Sequence, residues 1–308
     1  MEKKTKDFSL FRLRSTGAII SDGYQLYMDN FRKIFRTTWL MAVVYAIAIG
    51  MCSTLWLDFL AEMTLLVTQH APMESITDSA AAYMLLLASG IVVHTLATLL
   101  LTAFGFSILR QHQEENSIST PTRWFGQCNV KTVGRTLTAG LIIVIAMLFM
   151  YAVIYTTGIL LKGHLSRTAL GLLIVGETGV FALLLPLLYL TMTQYIMAKG
   201  NRHQALRYWG SAIIISMVVC IVFGLLSIVT ELPAAVLLFA NITSMSGTLL
   251  GDPSGMPDYM SWLNIIVFTL AGFMQAYIYL STLFPFYYLY GSVETQEKER
   301  DEMNKKLD

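Results

Sequence analysis

Six long stretches nearly free of formal charge restrict this chain more than any other feature. They are Trp39–Leu57, Ala80–Leu109, Leu137–Leu161, Ala169–Ala198, Ala212–Ala240 and Trp262–Tyr290. Each is apolar all round and approaches or exceeds the roughly 20 residues that cross a hydrocarbon core of about 30 Å. None alternates polar and apolar residues as a barrel strand does. Soluble domains carry roughly 25% charged residues, whereas this chain of 308 residues has 13% charged and 55% hydrophobic. It lacks the polar surface that a water-soluble globule needs. The expected fold is an all-α polytopic membrane bundle of six transmembrane helices. Residues 1–36 form a cytoplasmic N-terminus with an interfacial amphipathic helix, 37–290 the transmembrane domain, and 291–308 a charged cytoplasmic tail.

Orientation follows from Lys and Arg, which are retained on the cytoplasmic side of short loops. Nineteen of them fall before the first stretch, in the second and fourth connections, or in the tail; two, Lys162 and Arg167, fall on the other side. Both termini are therefore expected in the cytosol, with the protein multi-pass in the cytoplasmic (inner) membrane. Trp39, Tyr195, Tyr208, Trp209 and the run Phe284–Tyr290 suit the inner interface. Trp56, Tyr259 and Trp262 suit the outer one, since amphipathic rings settle at headgroup depth. The net charge of +1 gives no reason to expect nucleic acid as a partner; the bilayer is the partner the composition demands.

Thr16 to Leu57 sets the entry into the membrane. Ile20, Tyr24, Tyr27/Met28, Phe31 and Ile34/Phe35 recur at three- and four-residue steps, with Ser21, Asp22, Gln25, Asp29, Arg32, Lys33 and Arg36 largely opposite. This predicts an interfacial helix that feeds without a break into the first span, with Arg32, Lys33, Arg36 and Trp39 anchoring it at the membrane surface. The first apolar run starts too late for a secretory leader, so Trp39–Leu57 is expected to persist as a helix. Small residues Ala42, Ala46 and Gly50, and Gly272 with Ala276, offer faces where helices approach closely. NFRKIFRTTW, TRWFGQCNVKTVGRTL and NRHQALRYWGSAI precede alternate spans, a pattern that fits three repeated hairpins or merely shared positive flanks. Cys52, Cys128 and Cys220 do not form a disulfide framework.

Ionisable groups inside spans are costly, and so they are the candidate site residues. Glu177 and Glu231 lie towards the outer ends of their spans, Asp58 closes the first span at the same level, and His94 lies deeper. Together they would make a polar cavity open to the outer leaflet, with Lys162 or Arg167 as counter-charge; singly, each would cap or hydrogen-bond a helix. His70, His112, His164 and His203 read as loop residues without ligand spacing. Pro186 removes a backbone hydrogen bond from its helix. The connection Asn241–Ser261, with GDPSGMPD at its centre, reads as a lid or a plain connector, and Asn241-Ile-Thr243 matches a glycosylation acceptor. No Walker loop, HExxH, paired CxxC, nucleophile elbow or clustered metal signature occurs. No catalytic residue, metal or cofactor is expected.

FRLRSTGAIISDGYQLYMDNFRKIFRTTW and NRHQALRYWGSAI resemble segments of a broad bacterial family of six-helix membrane proteins. That family includes the membrane domain attached to some glycerophosphoryl diester phosphodiesterases. The likeness implies a fold and an inner-membrane location; with no soluble catalytic domain beside the six spans, it transfers no catalytic residue. Two functions are expected. One is a non-enzymatic membrane protein organising or regulating partners, as a complex with another membrane protein or as a homo-oligomer. The alternative is a carrier or lipid-handling protein with a cavity near Glu177, Glu231 and His94.

Overall fold

The structure is a computed structural model that describes residues 9–68, 73–118, 130–161, 167–197, 205–250, 257 and 259–307. The expected residues Cys128, His70, His164, His203 and Lys162, the GDPSGMPD turn and the side chains of Glu177 and Arg167 lie outside the described residues. Among the described residues every regular element is helical: α1 (Thr16–Asp29), α2 (Phe31–Thr68), α3 (Met73–Glu115), α4 (Val130–Leu161), α5 (Arg167–Met197), α6 (Trp209–Leu249) and α7 (Met260–Leu307), with a 3₁₀ turn at Ala205–Tyr208 before α6. Helices satisfy their backbone groups internally, as lipid requires.

Five stretches, Phe31–Thr64, Ser79–Glu115, Val130–Gly158, Trp209–Gly247 and Met260–Lys306, are long and apolar enough to cross a membrane. The protein is therefore a multi-pass membrane protein. In α5 the described apolar stretch is Leu184–Met197, with Pro186 inside the helix. Leu141, Ile142, Ile145, Leu148 and Phe149 on α4 are exposed, as are Ile221, Ile228, Val229 and Phe239 on α6. Such faces suit lipid rather than water.

The helices run further than hydropathy alone suggests. α2 continues past Leu57 to Thr68, which puts Asp58 inside a helix rather than at its end. α6 continues to Leu249, so Asn241 is helical. Its Nδ2 donates to the Leu237 carbonyl at 2.8 Å and to Asn264 Oδ1 at 2.9 Å, and it is fully buried. A sugar acceptor must be exposed, so the glycosylation match is excluded on geometry. His112 is likewise not a loop residue: it is buried in α3, its Nδ1 2.9 Å from Tyr287 Oη.

The chain divides into two compact units. Unit 1 comprises the described residues of Met1–Thr37, Ala103–Ile221 and Ser281–Asp308; unit 2 comprises those of Thr38–Thr102 and Val222–Leu280. In unit 1, Ser15 caps α1, its Oγ accepting from Ala18 N. The entry helix does not feed into α2 uninterrupted. Asn30 breaks it, donating from Nδ2 to the Leu26 carbonyl and accepting from Lys33 and Ile34 N–H. A residue whose side-chain amide closes one helix while its backbone carbonyl opens the next makes a defined joint.

α1 buries Ile19, Gly23, Leu26 and Tyr27. Gly23 rests on the α7 backbone, where a Cβ would stand 2.8 Å from Pro285 N. Tyr27 meets Phe284 edge-on with centroids 5.0 Å apart. Of the expected apolar face, Tyr27 and Ile34 are buried, whereas Met28, Phe31 and Phe35 are exposed.

Unit 2 is held by small residues. Ala42 and Ala46 of α2 are buried, and a methyl on Gly272 of α7 would stand 3.3 Å from Ala46 Cα and run into Ile49. A methyl on Gly50 would run into Thr269. Both expected small-residue faces therefore pack on each other within the chain, the close approach that dispersion favours where lipid removes the hydrophobic drive between helices.

Candidate functional site

Unit 2 contains a partly open cavity of about 260 Å³. Its walls come from three helices: Ile49 and Ser53 of α2, Glu231, Ala234, Ala235 and Leu238 of α6, and Phe268, Ala271, Gly272 and Gln275 of α7. Its origin is local. The small residues that let α2 and α7 meet leave little side chain beside the contact, and α6 adds two alanines one turn above a carboxylate. Pro233 lies between Glu231 and Ala234 and cannot donate to the Val229 carbonyl, so the α6 ladder is interrupted there.

Three polar groups face this space. Glu231 is exposed, and no hydrogen bond or ion pair engages it among the described residues. Gln275 is buried and fixed by Ser227, whose Oγ donates to Oε1 at 3.1 Å and accepts from Nε2 at 3.0 Å. Ser53 is half-buried. Among the described residues the lining contains no Lys, Arg or His, so its one formal charge is the Glu231 carboxylate. The remaining lining is aliphatic apart from Phe268.

No family model, curated protein or solved structure matches this chain. The site must therefore be read from its own residues.

Of the expected polar group, Glu231 lines the cavity, and Asp58 and His94 do not. His94 is half-buried, its ring 5.1 Å from that of Tyr45, and its enclosed Nδ1 has no hydrogen-bond partner among the described residues. Tyr45 is buried and lies within electrostatic reach of both Tyr279 and Glu231. Tyr279 shares a 2.9 Å hydrogen bond with Thr102. His94 thus belongs to the same polar neighbourhood through Tyr45, one layer away from the cavity. Asp58 sits elsewhere: with Glu62 it acts on Tyr83, whose ring lies 5.9 Å from Phe59. No group of His, Cys, Asp and Glu arranged for a metal occurs among the described residues. The expected surface anchors Arg32, Lys33, Arg36 and Trp39 are all exposed on the first turns of α2.

Sequence reading missed Gln275, Ser53 and Phe268. Gln275 is the one that carried a signal, as one of two amides, with Asn264, in a largely apolar stretch.

Two clusters in unit 1 were also missed. Arg14, with its side chain only 3% exposed, bonds to Asp22 at 3.1 Å and to the Leu10 carbonyl at 2.9 Å, and its guanidinium lies over Tyr288. Glu297, fully buried, accepts from Tyr208 Oη at 2.8 Å and Arg207 at 3.2 Å, and pairs with Arg300. Both are structural. Arg14 ties the segment before α1 to α7, and Glu297 ties the turn before α6 to the end of α7. Burial and the Glu297 bond push the Tyr208 phenol up to about 12, so it stays a donor to that carboxylate at neutral pH.

Proposed function

We propose that this chain is a non-enzymatic six-span protein of the cytoplasmic membrane, with both termini cytosolic, that takes a small amphiphile into the unit 2 cavity. The six-span count adds α5 to the five long apolar stretches. The basic residues support the orientation, and Arg32, Lys33, Arg36 and Trp39, exposed beside Phe31 and Phe35, support an entry segment seated at the inner interface. Layout and the two quoted stretches support kinship with the membrane domain of glycerophosphoryl diester phosphodiesterases, as a fold without their chemistry.

One observation carries the ligand reading: an unpaired carboxylate faces a cavity with apolar walls between three membrane helices. Small-molecule sites combine such walls with few placed polar groups, and their volumes run from about 300 Å³ upwards. At about 260 Å³ the cavity suits one small headgroup or a short apolar body. The small-residue faces of α2 and α7 pack on each other within the chain.

Filling the space tests the reading. Ala235→Phe should weaken saturable binding of alkyl amphiphiles, whatever their headgroup, by about tenfold or more. Calorimetry on protein in nanodiscs, with empty nanodiscs as blank, makes the measurement. Unchanged binding by a variant that melts like wild type would overturn it.

A further inference from the structure

We infer that the ligand of the unit 2 cavity is a monocation, a primary ammonium group on an apolar body, held by Glu231 as its counter-charge. This rests on the reading of the cavity as an amphiphile site and specifies what that site selects. Three observations converge. The cavity holds one formal charge, negative, and no Lys, Arg or His among its lining residues. No described side chain neutralises that carboxylate, and a charge within a membrane helix calls for a partner. The other polar atoms point the same way. Ser227 takes one lone pair of Gln275 Oε1, leaving the second, and the Ser53 hydroxyl makes no hydrogen bond among the described residues. The carboxylate, the amide oxygen and the hydroxyl can each accept from an ammonium N–H, and all three belong to residues lining the one cavity.

The walls select the rest of the molecule. Phe268 is the one aromatic residue named in the lining, and the face of such a ring attracts a cation. Ala234, Ala235, Ala271 and Leu238 present only methyl groups, against which a hydrocarbon chain gains about 0.8 kcal/mol per buried CH₂. An anionic amphiphile of the same length meets the carboxylate with like charge. A neutral one leaves the carboxylate unpaired. Selectivity therefore lies in the headgroup, while the body sets affinity. The shared chemistry is an ammonium, whether from a free alkylamine or from an aminophospholipid of the bilayer.

Calorimetric titration of the full chain in phosphatidylcholine nanodiscs with decylamine, decanol and decyl sulfate tests this. Decylamine should bind saturably and at least about tenfold tighter than decanol, with decyl sulfate weakest. Glu231→Gln should bring decylamine down to the decanol level. Equal binding of decylamine and decanol would overturn the charge assignment but leave the amphiphile site standing. Binding of none of the three would remove the site itself. Exchange of the nanodisc lipid for phosphatidylethanolamine separates the two sources. Competition that weakens decylamine supports the ammonium site with lipid as its source, and undiminished binding supports it with the free amine.

Discussion

Asn241 and Asn264 face each other across α6 and α7, each amide donating to the other at 2.9 and 3.1 Å, both fully enclosed. In hydrocarbon neither has water to fall back on, so removing one strands the other. Asn264→Ala should lower stability by roughly 1 kcal/mol, near the range for interhelical hydrogen bonds in membranes, in equilibrium unfolding from mild detergent. The double change Asn241→Leu with Asn264→Leu should recover part of that loss, because no orphaned amide remains. A double variant less stable than the single would count against the pairing. Neither partner was legible in the sequence. Asn241 sits in a stretch that reads as a connector, and a pairing 23 residues apart leaves no trace in periodicity. Arg14 was hidden for a similar reason. In composition it is one more basic flank residue, and only the fold shows it buried over Tyr288.

At the scale of elements, α7 holds unit 1 together through its charged end. The mixed-charge tail reads as solvated, and Lys298, Glu299, Glu302, Met303, Lys305 and Lys306 are exposed, yet Glu297 among them is fully buried. A single buried carboxylate within a charged run is beyond what spacing reveals. The Tyr208–Glu297 bond requires a protonated phenol, whose value rises from 10.0 to about 12 in the fold. A group raised on folding gives its full contribution below its unfolded value and loses it above. The Tyr208 contribution to the melting temperature should therefore be complete and independent of pH near neutrality, and be lost between about pH 10 and 12. Tyr208→Phe should remove that loss, as read by a melting curve at each pH. An identical alkaline slope in both proteins would dismiss the bond. The α1–α7 seat was half legible. The period of the apolar residues located the helix, but not which face packs, because Gly23, the residue of closest approach, has no hydrophobic side chain to register.

For the whole molecule, hydropathy located the helices well because lipid permits few alternatives to long apolar helices. It placed their ends poorly, because Asp58 and Asn241 are compatible with a helix that outruns its apolar core. Of the polar group read as one cavity, Glu231 lines it and Asp58 and His94 do not; which side chains converge depends on helix rotation, and that is set by small-residue contacts rather than by polarity. The proposed threading makes a direct prediction. In a cysteine-free background, a single cysteine at Lys298 should react with a membrane-impermeant maleimide only after the inner face is opened. One at Thr64 should react in intact cells with a permeabilised outer envelope. The reverse pattern would invert the topology.

One contact has a consequence for biogenesis. Arg14 N–H bonds to Ser292 Oγ, 278 residues further along, and Leu10 covers Gly291 so closely that a side chain there would collide with it. A ribosome adding about 5–20 residues per second needs on the order of tens of seconds between emission of these partners. The segment around Leu10 and Arg14 thus waits, unseated, until the Gly291–Ser292 stretch has been made, and its docking is a late event in assembly.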